Sequence, residues 1–187
     1  MKLIMDLKSK PSMMLHCCCA PCMTHPIKKL EEDFHVTVFF FNPNIHPIEE
    51  YDQRRDETNR LAEKWGFPII IGEYNKDDWF EMVKGCETEP EGGQRCEMCY
   101  HMRLEQTAQT AKEKGIDFFT TTLSISPHKK AAIINRIGKE IENVWDIKYY
   151  EVDFKKKDGF KISCQLSEEE GIYRQNYCGC IFSRRKI

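Results

Sequence analysis

The stretch LeuHisCysCysCysAlaProCys places four thiols at positions 17–22. Cys96 and Cys99 form a C-x-x-C within GlyGlyGlnArgCysGluMetCysTyr, and Cys178 and Cys180 form a C-x-C around a central glycine. The thiolate is the form of cysteine that binds metal and attacks electrophiles. A C-x-x-C that leads into a helix aims both sulfurs at one centre, where free N–H groups stabilise the thiolates. Two sulfurs from the first group and two from the C-x-x-C complete a four-thiolate site. Zinc and iron–sulfur clusters both accept four cysteines, and reduced packing thiols are the third reading. Neighbours on an extended chain point to opposite faces, so the run at 17–19 is a poor zinc knuckle, and Cys17 is read as turned into the core. The C-x-C has two readings: a strained, reducible disulfide that relays two electrons, or a further pair of metal ligands. Cys86 and Cys164 stand alone and read as small buried hydrophobes.

His16, His46 and His128 fall on one expected loop edge. His46, beside a proline, and His128, beside Lys129 and Lys130, are placed to meet a substrate phosphate or move a proton, with Lys129 as a third substrate-binding candidate. Asp153 is read as a general acid or an iron ligand, against the plainer reading of a turn cap. The formal net charge is −2, so no global basic field exists. Local basic clusters do: Lys28-Lys29, His128-Lys129-Lys130, Lys155-Lys156-Lys157 and Arg184-Arg185-Lys186. Each alone reads as solvated surface; converging, they would form a phosphate-binding face. No segment reaches the roughly 18 apolar residues of a membrane span, and the first residues lack the pattern of a signal peptide. The expectation is therefore a cytoplasmic protein with reduced thiols.

Five apolar runs must position these residues: 12–18, 36–42, 67–73, 117–123 and 148–153, read as strands. Helical patterns lie at 48–65, 77–84, 99–114 and 129–142. Leu61, Ala62 and Trp65 share one stripe of the first, Gly66 stops it and Pro47 suits its first turn. Gly115 reads as a helix stop and Gly138 as a tolerated interior glycine. Strand–helix alternation predicts an α/β fold, a Rossmann-like (HUP-like) parallel sheet of about five strands with flanking helices. Ligands in such sheets sit beyond the carboxyl ends of the strands. The segments after strands one, two and four are HisCysCysCysAlaProCys, AsnProAsnIleHisPro and SerIleSerProHisLysLys, which predicts one shared active-site edge. The whole chain is expected to form a single domain, 1–187, with a C-terminal helical segment at about 164–187.

Six motifs occur in order along the chain: HisCysCysCysAlaProCys, PhePheAsnProAsnIleHisProIleGluGluTyr, ArgCysGluMetCysTyrHisMetArgLeu, PheThrThrThrLeuSerIleSerProHisLys, AspPheLysLysLysAspGlyPhe and TyrArgGlnAsnTyrCysGlyCysIlePheSer. This set resembles the epoxyqueuosine reductase family of the QueH type. The resemblance implies reduction of the epoxide of epoxyqueuosine to queuosine at the tRNA wobble position, the last step of queuosine synthesis. It implies a 4Fe–4S cluster held by Cys18, Cys19, Cys96 and Cys99, with Cys178 and Cys180 as a redox pair or a site for an additional iron. It places Cys22 where some relatives carry an aspartate, as a catalytic helper, and leaves Cys17 as a spare beyond the usual pair. The partners it implies are a tRNA with a queuosine-type anticodon and an electron donor. Two other classes remain: a tRNA sulfur-transfer enzyme, which would carry a Ser-Gly-Gly-x-Asp-Ser loop after strand one that is absent here, and a zinc-stabilised RNA-binding module.

Overall fold

A computed structural model describes residues 10–184. The centre of the fold is β1 (Ser12–His16), whose Met13, Met14 and Leu15 are completely buried. A strand apolar at consecutive positions must be covered on both faces. It is flanked in parallel by β2 (His35–Phe40) and β4 (Phe118–Thr121), with His16 opposite both Phe39 and Thr121. Outside these lie β3 (Ile69–Ile71) and β5 (Lys148–Tyr149), giving the order β3-β2-β1-β4-β5 with every neighbouring pair parallel.

The alternation of β1 divides the core into two layers. Met13 and Leu15 pack with Ile27, Leu30 and Leu61 of α1 (Ala20–Leu30) and α2 (Ile48–Trp65). Met14 packs on the other face with Leu104, Ile134 and Ile137 of α4 (Gln94–Glu113) and α5 (Ala131–Trp145). The short α3 (Lys76–Met82) places Trp79 in a smaller apolar cluster, and α6 (Gly159–Glu169) lies along α1. Thr24 and Ser163 fasten that last contact, oxygen to oxygen at 2.9 Å. The expected parallel α/β sheet is thus observed, and no helix among the described residues is long and apolar enough to cross a membrane.

The strands are shorter than the apolar runs that announced them, for local reasons. Cys17 still donates its N–H to Phe39 O, but Cys19 caps α1 and Pro21 fits its first turn, so the run at 17–19 is the strand-to-helix corner. After Thr121 the chain tightens into a 3₁₀ turn (Thr122–Ile125), where Thr121 Oγ1 accepts the Leu123 N–H. The helix α1 was hidden in the sequence by Pro21 and by Pro26 in its interior, which has no N–H to give. Helix α4 begins before the C-x-x-C, at Gln94, so Cys96 and Cys99 lie inside its first two turns. Gly138 is required rather than tolerated: a Cβ there would sit 2.4 Å from the Tyr149 ring. The expected C-terminal helical segment is corrected: the helix ends at Glu169, and 170–184 runs irregularly apart from a 3₁₀ turn at Ile181–Ser183. Arg185 and Lys186 of the fourth basic cluster lie outside the described residues.

Candidate active site

The central strand β1 leads to helix α1 on the β2 side, while β4 enters from the other side. This is the switch point at which open parallel sheets bind ligands. A cleft of about 350 Å³ opens there. Its floor carries Cys18 and Cys22, its walls Arg54, Arg103, Lys129 and Cys178.

The corner after β1 turns consecutive cysteines to different duties. Cys17 is completely buried, and its thiol donates to Cys19 O at 3.2 Å, so it faces the core as expected. Cys18 and Cys19 are brought together, Sγ to Sγ at 3.7 Å, because Cys19 is extended (φ −175°) where α1 begins. Cys22 comes round on the first turn of α1, and the sulfurs of Cys18, Cys19 and Cys22 all lie within 4.8 Å of one another. Cys19 and Cys22 share their protons with Cys18, which holds Cys18 well below the ordinary thiol range; Lys129 adds to this while burial opposes it. The same proton sharing pushes Cys19 up to about 12 and raises Cys22. The trio therefore carries its first negative charge on Cys18. Gln175 Nε2 donates to Cys19 Sγ at 2.8 Å, and the Thr122 hydroxyl lies 3.6 Å from Cys18 Sγ.

The C-x-x-C and the C-x-C line up differently from the simplest expectation. Among the described residues the tight thiol group contains Cys22 and neither Cys96 nor Cys99. Cys96 accepts the Gly92 N–H at 3.2 Å. Cys99 and Cys180 are buried together beside Trp79 and Val83, and burial pushes both thiols up, Cys180 to about 11. Cys178 instead faces the cleft. Gly179 between them adopts φ +112°, a conformation that lets alternate cysteines face opposite ways. Both cysteines are free thiols, so the redox disulfide receives no support from this structure.

The other candidates separate cleanly. His128 and Lys129 stand on the cleft wall. His46 does not: it is buried between the rings of Trp79 and Phe80, at 5.0 and 4.7 Å, and burial lowers its pKa to about 4. Its backbone instead holds the C-terminal loop, donating to Gly179 O and accepting from the Tyr177 hydroxyl. As a substrate contact it is corrected to a neutral residue that docks the C-x-C segment. Asp153 is a turn cap: its Oδ1 accepts the Lys155 N–H and pairs with Lys155 Nζ, both at 3.1 Å. Lys155 in turn donates to Ser124 O and Lys129 O, bracing the loop that carries Lys129. His16 is buried and neutral, its ring bonded to Thr121 Oγ1 and Phe41 O. Among the described residues of the four basic clusters, only His128 and Lys129 line the cleft; Lys28 lies over the Trp65 ring at 4.7 Å.

Arg54, Arg103 and Gln175 were not singled out in the sequence. Arg54 reads there as one more charge on an amphipathic helix. It is buried and gives Nη1 to Cys178 O and Nη2 to Tyr177 O, with Nε on Glu50. A signal for Arg103 did exist: positions 96, 99 and 103 share one face of a helix, so the guanidinium belongs on the face of the two cysteines. Gln175 sits in an irregular loop with no pattern to mark it.

The fold and this site define a Rossmann-like α/β protein that gathers thiols and buried cations at its switch point. The chain belongs to the epoxyqueuosine reductase QueH family, whose model matches residues 13–186. An epoxyqueuosine reductase QueH of Streptococcus pyogenes serotype M1 is 40% identical over 182 residues, covering 94% of this chain and 71% of that one. One from Thermotoga maritima is also 40% identical, over 92% of this chain and 90% of its own. Among solved structures, the U34-tRNA thiolase NcsA from Methanococcus maripaludis with its 4Fe–4S cluster superposes with a TM-score of 0.56 at 12% identity, over 97% of this chain and 64% of that chain. A "predicted subunit of tRNA methyltransferase" from Methanocaldococcus jannaschii gives 0.56 at 10%, over 94% of this chain and all of its own. At these identities the shared property is the fold.

Proposed function

We propose that this protein is an epoxyqueuosine reductase: it removes the epoxide oxygen of epoxyqueuosine at the wobble position of tRNA, leaving the alkene of queuosine. The observation that carries the reading is the thiol trio at the floor of a cation-walled cleft, in a chain of this family. The reaction adds two electrons and two protons, breaks both C–O bonds of the epoxide, forms one C=C bond and releases water.

The donor set fits a metal cluster. Three thiols converge, a side-chain N–H already points at one of them, and the surrounding buried cations suit anionic sulfur. Cys18, Cys19 and Cys22 would supply three of its ligands, with Cys96, Cys99 and Cys178 the candidates for the fourth and for holding an additional iron. A bound 4Fe–4S cluster would supply electrons one at a time. The chain's own residues do the rest. Burial opposes the charge of Lys129, but Cys178, Tyr100, Cys18 and Cys22 more than offset it, so its ammonium stays protonated. A fixed cation on the cleft wall stabilises the negative oxygen that develops as a C–O bond opens. His128 and Arg174 at the same cleft would meet anticodon phosphates. The base must leave its stack to enter, which a single-stranded loop permits at low cost.

The test is mass analysis of tRNA nucleosides from cells that accumulate epoxyqueuosine, with and without this protein. Conversion to queuosine is expected; persistence of epoxyqueuosine with the protein expressed and folded would sink the assignment. Iron and sulfide analysis of anaerobically prepared protein tests the cofactor separately: a colourless protein holding only zinc would remove the cluster from the scheme.

A further inference from the structure

Three arginines are among the largest fully buried side chains: Arg54, Arg95 and Arg103. Two of them explain themselves. Arg54 pairs with Glu50 and donates to two carbonyls of the C-terminal loop. Arg95 pairs with no carboxylate among the described residues and leaves Nε unpartnered, but its Nη1 donates to the carbonyls of Cys86, Glu87 and Glu89, tying down the loop before α4. Arg103 differs. It is 1% exposed, its Nε bonds only the Cys99 carbonyl one turn back in its own helix, and its Nη2 has no partner. No carboxylate pairs with it among the described residues; the side chains around it that can carry negative charge are the cysteines Cys99, Cys178 and Cys18 and the hydroxyl of Tyr100. A buried guanidinium without an anion is among the costlier arrangements a protein can adopt. Among the described residues Arg103 makes no bond outside its own helix, and it lines this cleft, where its charge suits an anionic ligand.

We propose that Arg103 is the positioning residue for an anionic iron–sulfur cluster, its unpartnered Nη2 donating to cluster or thiolate sulfur and its charge raising the cluster's reduction potential. The inference rests on the cluster reading given under Proposed function. It follows from placement: Cys96, Cys99 and Arg103 occupy one face of α4, and that face meets Cys18 across the sheet edge. A four-thiolate 4Fe–4S cluster is a net anion in both its oxidation states, and hydrogen bonds to its sulfurs set its potential. A fixed cation favours the reduced, more negative state. Trp79, packed in the same cluster as Cys99, likewise has a buried Nε1–H with no hydrogen-bond partner among the described residues.

The experiment compares wild type, Arg103→Gln and Arg103→Lys after anaerobic reconstitution with iron and sulfide. Three readouts are taken: iron content, the midpoint potential from a redox titration followed by visible absorbance and EPR, and affinity for a transcribed tRNA. For Arg103→Gln the expected result is a cluster that is harder to reduce, about a tenfold lower reduced-to-oxidised ratio at a fixed potential, equivalent to about 59 mV for one electron. Arg103→Lys keeps the charge and should recover most of that shift. The affinity for tRNA should stay within about threefold of wild type, since a buried group reserved for sulfur has no phosphate to lose. An unchanged potential in Arg103→Gln together with lost tRNA affinity would overturn the proposal and make Arg103 a substrate-phosphate residue. Should Arg103→Gln fail to fold, Arg103→Lys decides: a charge-retaining variant that folds and takes up cluster supports the proposal, and one that folds without taking up any overturns it. A wild-type protein that takes up no cluster would instead remove the underlying cofactor reading, a failure visible before any variant is made.

Discussion

Arg54 is the clamp that fixes the C-x-C segment, and its removal should release that segment. Its guanidinium is 2% exposed and makes three bonds: 2.7 Å to Glu50 Oε1, 3.1 Å to Cys178 O and 3.2 Å to Tyr177 O. Replacing it by Met keeps much of the volume and removes every donor. The two carbonyls lose charge-assisted bonds, each worth about 1.5–3 kcal/mol net. Glu50, 11% exposed, keeps the Tyr173 hydroxyl but loses its cation. Breaking one side of such a pair costs about 3–5 kcal/mol. These costs overlap, so the expected total is about 3–5 kcal/mol, which at this chain length lowers the melting temperature by roughly 6–20 °C. The assay pairs thermal unfolding with amide exchange at 177–180. If the clamp acts locally, exchange there rises before the melting temperature falls. The reasoning is refuted by Arg54→Met protein whose exchange at 177–180 and whose melting temperature both match the wild type. The variant Arg54→Met/Glu50→Gln removes both charges and should recover part of the loss, because no unpaired carboxylate is left behind.

Replacing Cys17 with Ala should leave iron content unchanged, since its sulfur faces the core, whereas Cys19→Ala should lose the metal; equal iron in the two variants would contradict the division of roles at the corner. His46 is held near a pKa of about 4 against about 6.5 unfolded, so the unfolded state takes up its proton first as pH falls. Stability is therefore full above about pH 6.5 and falls toward pH 4, by about 3 kcal/mol over the whole window; urea denaturation showing no greater loss over this window in wild type than in His46→Gln would refute this. With His128 and Arg174 on phosphates, log affinity for tRNA should fall against log salt with a slope of about −1 to −1.5, and a flat dependence would count against a phosphate-lined entrance. Gly138→Ala should destabilise by about 1–3 kcal/mol because the new methyl displaces the Tyr149 ring and strains its bond to Asn135; an unchanged urea midpoint would show that the ring has room.

The sheet was legible because burial on both faces writes itself as unbroken apolar runs, as at Met13–Met14–Leu15 and Phe39–Phe40. The edge that carries the site was legible for the same reason: polar, proline-bearing segments follow the strands that end there. Boundaries were not, because they are set by groups far away in sequence. Cys17 still pairs with Phe39, and Thr121 turns the chain only because its side chain finds the Leu123 N–H. Residue types announced Cys18, Cys19, Cys178, His128 and Lys129. His46 shows the limit of that signal: a histidine after a strand, next to a proline, is the same in sequence whether it meets solvent or two aromatic rings contributed by α3. Asp153 likewise could not be told from an acid catalyst until Lys155 was seen to close the turn on it.

The adjacency of cysteines that made a zinc knuckle awkward is what the corner uses. Neighbouring side chains diverge on a strand, so two sulfurs in sequence converge only where the backbone changes direction between them. Here the change is forced: β1 ends at His16, and α1 starts at Ala20 with a proline in its first turn. Three residues remain to make the turn, and all three are cysteines. Cys17 completes the strand pairing and faces the core, Cys18 faces the cleft, and Cys19 caps the helix with its sulfur beside that of Cys18. Cys22 then needs only the first helical turn to join them. The sulfurs lie at the N-terminal end of α1, where unsatisfied N–H groups favour negative charge. The buried Arg54 and Arg103 and the half-buried Lys129 add to the same field, so the corner concentrates positive potential where the thiols must lose their protons.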